Sequence, residues 1–157
     1  MKITKYDLHL NSSGRGKGIA IYYKREKFEH DSDIKEDNMQ LSKFTSQNLD
    51  IIALYRSQRG NYNNLNQNIE IMKTEGKATL IVGDFNFCYK DHPCNTTRKY
   101  LENQKFSQLI IEPTHIEGHV LDQAYIKGNM KANAITHSKY YTDHKGLALL
   151  IRKGIYI

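Results

Sequence analysis

Five side chains in this sequence are of types that move protons or hold oxygen-seeking cations: Asp84, Asn86, Asp122, Asp143 and His144. Asp84 and Asn86 stand two apart in Leu80-Ile-Val-Gly-Asp-Phe-Asn-Phe87, directly after an apolar run. A carboxylate and an amide leaving the end of a buried strand are well mounted for chemistry, because a stiff element fixes the direction of each polar group. The same residues also suit an ordinary strand-to-turn exit, where Gly, Asp and Asn are favoured for backbone reasons. Asp122, in Leu121-Asp-Gln-Ala124, reads alone as a strand-edge carboxylate, and Asp143-His144 reads alone as a surface loop. All five fall at the ends or starts of predicted strands, which would gather them at one rim of the sheets.

The elements that must position them follow from periodicity. Lys77 to Val82 is a short strand whose continuous apolar run suits burial on both faces. Lys5 to Leu10 alternates as a strand. Asn11 to Gly18, with three glycines at alternate positions, reads as a flexible turn into the strand Gly18 to Lys24. It lacks the P-loop spacing and no helix follows it. Glu26 to Asn38 is charged with mixed signs, a solvated loop or edge hairpin. Strands are expected at Met39 to Phe44, Leu49 to Tyr55, Val120 to Ile126, Ala132 to Ser138 and Gly146 to Arg152. A helix is expected over Asn61 to Glu75, with Leu65, Ile69 and Met72 on one face and Gly76 placed to end it. A second runs from the N-cap candidate Asn95 through Gln108. Many strands with two interposed helices imply a mixed α/β (α+β) sandwich.

The chain has 157 residues, which fits one domain. Lys and Arg number 23 against 17 Asp and Glu, and the surplus of +6 is compatible with a polyanionic partner such as nucleic acid. Cys88 and Cys94 form neither a disulfide framework nor a metal-ligand spacing. With no apolar run of membrane-spanning length and no signal-peptide core after Met1, the expectation is a soluble intracellular protein with free thiols.

Taken in order, several short segments resemble the endonuclease/exonuclease/phosphatase superfamily, from about Gly14 to Leu150. Gly14-Arg-Gly-Lys-Gly-Ile-Ala-Ile21 is similar to its glycine-led strand, and Ile52-Ala-Leu-Tyr-Arg-Ser57 to the strand that delivers a site Tyr or His. Gly83-Asp-Phe-Asn86 matches the Gly-Asp-hydrophobic-Asn motif. Asp122 resembles the strand Asp, and Thr142-Asp-His144 the Ser-Asp-His motif with Thr for Ser. The Tyr-Arg-Ser segment and Pro113-Thr-His-Ile-Glu-Gly-His119 lean towards the retroelement-type branch.

The resemblance implies a four-layer αββα sandwich of two mixed sheets flanked by helices, and a phosphodiester hydrolase, most of all a DNA endonuclease-like domain. Such hydrolysis needs an activated water, charge neutralisation at phosphate and stabilisation of the leaving oxygen. By resemblance, His144 acts at the scissile phosphate as base or transition-state stabiliser, and Asp122 fixes its tautomer. Asp84 orients the attacking water, Asn86 binds phosphate without adding negative charge, and Tyr55 contacts phosphate. Arg56 and Arg59 add charge-assisted contacts to the substrate. Asp143 and Asp84 hold Mg²⁺ or Mn²⁺. The family pattern also has an Asn strand and a metal-binding Glu ahead of the glycine loop. This chain begins downstream of both, so an N-terminally truncated copy with weak or lost activity is expected. Its exposed flank would be covered by a complementary N-terminal segment or a second chain. The rival expectations are an inactive nucleic-acid-binding remnant and a phosphatase acting on inositol phosphates or lipids.

Overall fold

The computed structural model describes residues 5–14, 17–138 and 142–154. Its frame is a six-stranded mixed sheet in the order β3-β4-β5-β6-β8-β7. The strands are β3 (Glu29–Glu36), β4 (Met39–Thr45), β5 (Leu49–Arg56), β6 (Ala78–Asp84), β7 (Ser107–Gln108) and β8 (Asp122–Lys127). Two antiparallel hairpins complete the strands: β1 (Asp7–Gly14) with β2 (Lys17–Tyr23), and β9 (Met130–His137) with β10 (Gly146–Lys153). The helices are α1 (Tyr62–Met72) and α2 (Thr96–Asn103). This is the expected mixed α/β sandwich.

Alternation along β5 explains the layering. Ile52, Leu54 and Arg56 point to one face and are buried, whereas Ile51, Ala53 and Tyr55 point to the other and are half-buried. The first face packs against Leu65, Ile69 and Met72 of α1 and Leu101 of α2, with Ile81 and Tyr125 beside them. Both helices therefore lie on one side of the large sheet. The hairpins lie on the other side, where Leu149 and Ile151 of β10 and Met130 and Ala132 of β9 pack near Leu80 and Ile126. Helices, large sheet and hairpins make three layers; a helical layer beyond the hairpins is not among the described residues. Neither hairpin pairs with a third strand among those residues. Leu8, Leu10, Tyr22, Ile135 and Leu150 are exposed on the hairpins.

Several boundaries differ from the sequence expectation. Asn11 to Gly14 is strand rather than loop, and Asn11 is buried because its Nδ2 donates to the Leu41 carbonyl (2.8 Å) and to Ser42 Oγ (3.1 Å). Arg15 and Gly16 of the glycine-rich turn lie outside the described residues. The charged stretch 29–36 is a true edge strand, paired only to β4. Helix α1 stops at Met72, four residues before Gly76, with Lys73 already extended. The pull is tertiary: Thr74 Oγ1 donates to the buried Asp50 at 2.6 Å and draws the chain out of the helix. Asp50 also accepts from Lys77 (2.8 Å) and Thr45 (2.7 Å), which keeps it ionised despite its burial. Asn61 and Asn95 cap their helices, each accepting from two backbone N–H groups, but α2 ends at Asn103 rather than Gln108.

Candidate active site

The parallel β5–β6 pair aligns Tyr55 with Asp84, and the antiparallel β6–β8 pair aligns Asp84 with Asp122. Three side chains thus form a row across neighbouring strands, on the half-open face. Gly83 makes the row possible. Its φ is +152°, and a Cβ there would run into the Leu54 carbonyl oxygen; only glycine lets β6 approach β5 this closely.

The loop after β9 brings His144 to this row. Its Nδ1 lies 2.7 Å from Asp122 Oδ2, which leaves Nε2 for a substrate. Asp122 is itself held in place, since its backbone N–H and that of Leu121 donate to Thr114 Oγ1 at 2.9 and 3.0 Å. Thr114 is buried. The same turn meets the His144 loop, with Lys145 N–H donating to the Thr114 carbonyl (2.7 Å) and Ile116 N–H to the Asp143 carbonyl (3.0 Å). His115 lies edge-on to His144, with ring centroids 5.1 Å apart, and its Nε2 is 3.4 Å from Asp143 Oδ2. Thr114 and His115 are site residues that the motif reading passed over. The available signal was a pair of histidines around a glycine turn, seven residues ahead of Asp122.

Asn86 sits in the left-handed region at φ 50°, a conformation that Asn tolerates. Its backbone N–H donates to Asp84 Oδ1 (2.9 Å) and its Nδ2 to Asp84 Oδ2 (3.0 Å). One N–H of the amide expected on phosphate is thus used in aiming Asp84. Arg56 is a clearer correction. Expected to meet substrate, it is buried, with Nε donating to the Phe85 carbonyl (2.7 Å) and Nη1 to that of Gly60 (2.7 Å). Its Nη2 donates to the Asn86 carbonyl (3.0 Å) and Tyr62 Oη (3.1 Å). It belongs to the helix-side face of β5, and its work is to hold the 85–86 turn. Arg59 is exposed in the turn after β5, at the same end of the sheet as Asp84. Asp143 and Asp84, expected to share a metal, are directed differently: Asp143 to His115 and Thr142, Asp84 to Asn86.

Electrostatics separate the acids. Burial, then the charge of Asp122, pushes the Asp84 carboxyl up to about 6, against the pull of the Asn86 N–H, His144 and Arg56. Burial lowers the affinity of His144 for its proton, but the Asp122 hydrogen bond and the charges of Asp122, Asp84 and Asp143 outweigh it, so the net shift is upward. Asp143 lies below the usual range, held there first by a backbone N–H and then, against slight desolvation, by His115, His144 and Thr142.

The Asp84 shift has a sign. A carboxyl whose folded pKa is raised from 3.8 to about 6 stabilises the fold fully below its unfolded value and loses that stability as pH rises through about 6. Asp84→Asn removes the ionised carboxylate. It should raise stability at pH 8 by about 2 kcal/mol, after allowance for the altered Asn86 contacts, and give no gain at pH 4. Urea denaturation at both pH values reads this; an equal effect at the two would refute it.

No family model matches the sequence, and no curated protein matches it. Solved structures do match its shape. The endonuclease domain of TRAS1, a telomere-specific non-LTR retrotransposon, superposes with a TM-score of 0.70 at 11% identity, over 96% of this chain and 80% of that one. An endonuclease/exonuclease/phosphatase family protein from Bacteroides thetaiotaomicron gives 0.61 at 12%, over 95% and 74%. CdtB, the biologically active subunit of cytolethal distending toxin, gives 0.55 at 13%, over 93% and 74%. Identities this low speak for fold alone, and this chain shares the fold of these three structures.

Proposed function

We propose that this chain is a metal-dependent phosphodiester hydrolase acting on DNA, an endonuclease-like domain. The observation that carries the reading is the Asp122–His144 pair at 2.7 Å, set in a row with Asp84 on a half-open rim. His144, whose hold on its proton three acidic neighbours strengthen against burial, donates from Nε2 to a phosphate oxygen. Asp122 holds its ring and tautomer. Asp84, with a pKa near working pH, takes the proton from the attacking water. One P–O bond forms from that water and another breaks, the leaving oxygen gaining a proton from solvent. Tyr55 and exposed Arg59, at the same end of the sheet as Asp84, would contact the phosphate backbone.

A divalent cation such as Mg²⁺ or Mn²⁺ fits the rim, because Asp84 and Asp122 face each other as acids and the Asp122 charge adds to burial in pushing Asp84 up. Asp84 would hold it, joined by Asp143 once that carboxylate turns from His115 and Thr142, and when bound it would neutralise charge developing on the phosphate. The test is nicking of supercoiled plasmid with Mg²⁺ or Mn²⁺ and after chelation. Nicking that requires the cation supports the proposal. Salt-sensitive DNA binding without nicking would replace it with a binding remnant. Phosphate release from a soluble inositol phosphate without nicking would make it a phosphatase.

A further inference from the structure

A second group of ligating side chains lies away from the rim, where hairpin β1–β2 meets the edge of the large sheet. His9 Nε2 lies 3.0 Å from Asp33 Oδ1, and His30 Nε2 lies 3.1 Å from the same oxygen. The two imidazoles stack with centroids 4.0 Å apart, and Phe44 meets both edge-on. One donor atom from each of His9, His30 and Asp33 lies within 4.8 Å of the others.

The backbone is built for this convergence. His30 and Asp33 are three apart, and in a regular strand they would point to opposite faces. A β-bulge between His30 and Ser32 adds one residue and turns both side chains to the same side. On β1, His9 shares its face with the inward-pointing Asn11. The carboxylate is held from behind: Ser42 bonds to Asp33, and Asn11 Nδ2 donates to Ser42 Oγ at 3.1 Å. Metal ligands are oriented by outer hydrogen bonds in the same manner.

We propose that His9, His30 and Asp33 form a zinc site that fastens the β1–β2 hairpin to β3. Two imidazole nitrogens and one carboxylate oxygen suit Zn²⁺, with water completing a tetrahedron. For ligands at about 2.0–2.1 Å, tetrahedral geometry separates neighbouring donor atoms by roughly 3.3 Å. The existing 3.0 and 3.1 Å nitrogen-to-oxygen separations are each within a few tenths of an ångström of that value, and the two imidazole donors lie within 4.8 Å of each other. Zn²⁺ takes the place of the Nε2 protons that His9 and His30 now direct at Asp33, and each neutral ring then carries its one proton on Nδ1. The inference is independent of the proposed hydrolase chemistry.

The test is titration of the metal-stripped, full-length protein with ZnCl2, read by NMR of its imidazole nitrogens after assignment through the backbone. The Nε2 resonances of both His9 and His30 should shift together as one equivalent is taken up. Amides of β1 and β2 should then exchange at least about tenfold more slowly. Asp33→Asn should lose that equivalent or bind it at least about a hundredfold more weakly. Zn²⁺ that shifts only His115, His119 or His144, with His9 and His30 unmoved in the wild-type protein, overturns the proposal. That outcome is read without any variant, so a poorly folding Asp33→Asn protein does not obscure it.

Discussion

His144→Ala should lower metal-dependent nicking by on the order of a thousandfold, within the range that one positioned acid–base group contributes. The effect should fall on kcat, because the imidazole acts on charge that develops as the P–O bonds change. Asp122→Asn keeps a hydrogen-bonding group beside Nδ1 but removes a charge that strengthens the ring's hold on its proton, and should cost about ten- to a hundredfold. The pH profile carries the assignment of roles. The rate should rise as Asp84 ionises, below about 6 because a bound cation adds its pull on the carboxylate, and fall above the ordinary histidine range as His144 loses its proton. Asp84→Asn should abolish the acidic limb together with most of the rate. A His144→Ala protein that retains a tenth of the activity would remove His144 from the reaction.

Arg56→Ala should be the most damaging change outside the rim. It deletes a buried cation and strands the carbonyls of Phe85, Gly60 and Asn86, each deprived of its guanidinium donor. An unsatisfied buried acceptor costs about 1–3 kcal/mol, and loss of Tyr62, whose ring lies 4.2 Å from the guanidinium carbon, adds to it. A total of about 4 kcal/mol corresponds to a fall in Tm on the order of 10 °C for a chain of this size. Arg56→Lys keeps the charge but not the planar fork, and should recover less than half of the loss. Thermal unfolding of the three proteins decides it, and a fall under about 2 °C for Arg56→Ala would mean that the turn at 85–86 is held by something else. Because that turn aims Asp84, both variants should also lose activity at temperatures where they remain folded.

What was legible in the sequence, and what was not, divides along local and long-range lines. The strand Ala78–Asp84 and its polar exit could be read because an apolar run, a glycine and two short polar residues are neighbours in the chain. The Asp122–His144 contact came from the order of short motifs; no periodicity links residues 22 apart. Arg56 was assigned to substrate because it stands next to Tyr55, which the resemblance puts on phosphate. Its parity says otherwise: Asp50, Ile52, Leu54 and Arg56 share one face of β5, and every one of them is buried. The charges at both ends of that face are satisfied from elsewhere, Asp50 by β4 and the α1–β6 loop, Arg56 by the turns at 60 and 85–86. Those partners are distant in sequence or supplied by backbone carbonyls, which residue types do not announce. Asn86 was read as a phosphate ligand by the resemblance of its motif, and the motif does not announce that one amide N–H folds back on Asp84.

The two hairpins have a further consequence for how the protein behaves in a crowded solution. A row of unpaired strand-edge N–H and C=O groups is a template on which another chain can add a strand. Here the edges are accompanied by exposed Leu8, Leu10 and Tyr22 on one hairpin and Ile135 and Leu150 on the other, so hydrogen bonding and apolar burial favour the same association. The centres of β2 and β10, Ile19-Ala-Ile21 and Leu147-Ala-Leu-Leu-Ile151, carry no charge to interrupt it; Lys24, Arg152 and Lys153 stand only at or beyond the strand ends, as gatekeepers. Among the described residues this flank therefore favours edge-to-edge association at high concentration, and the positive charges at its margins oppose it.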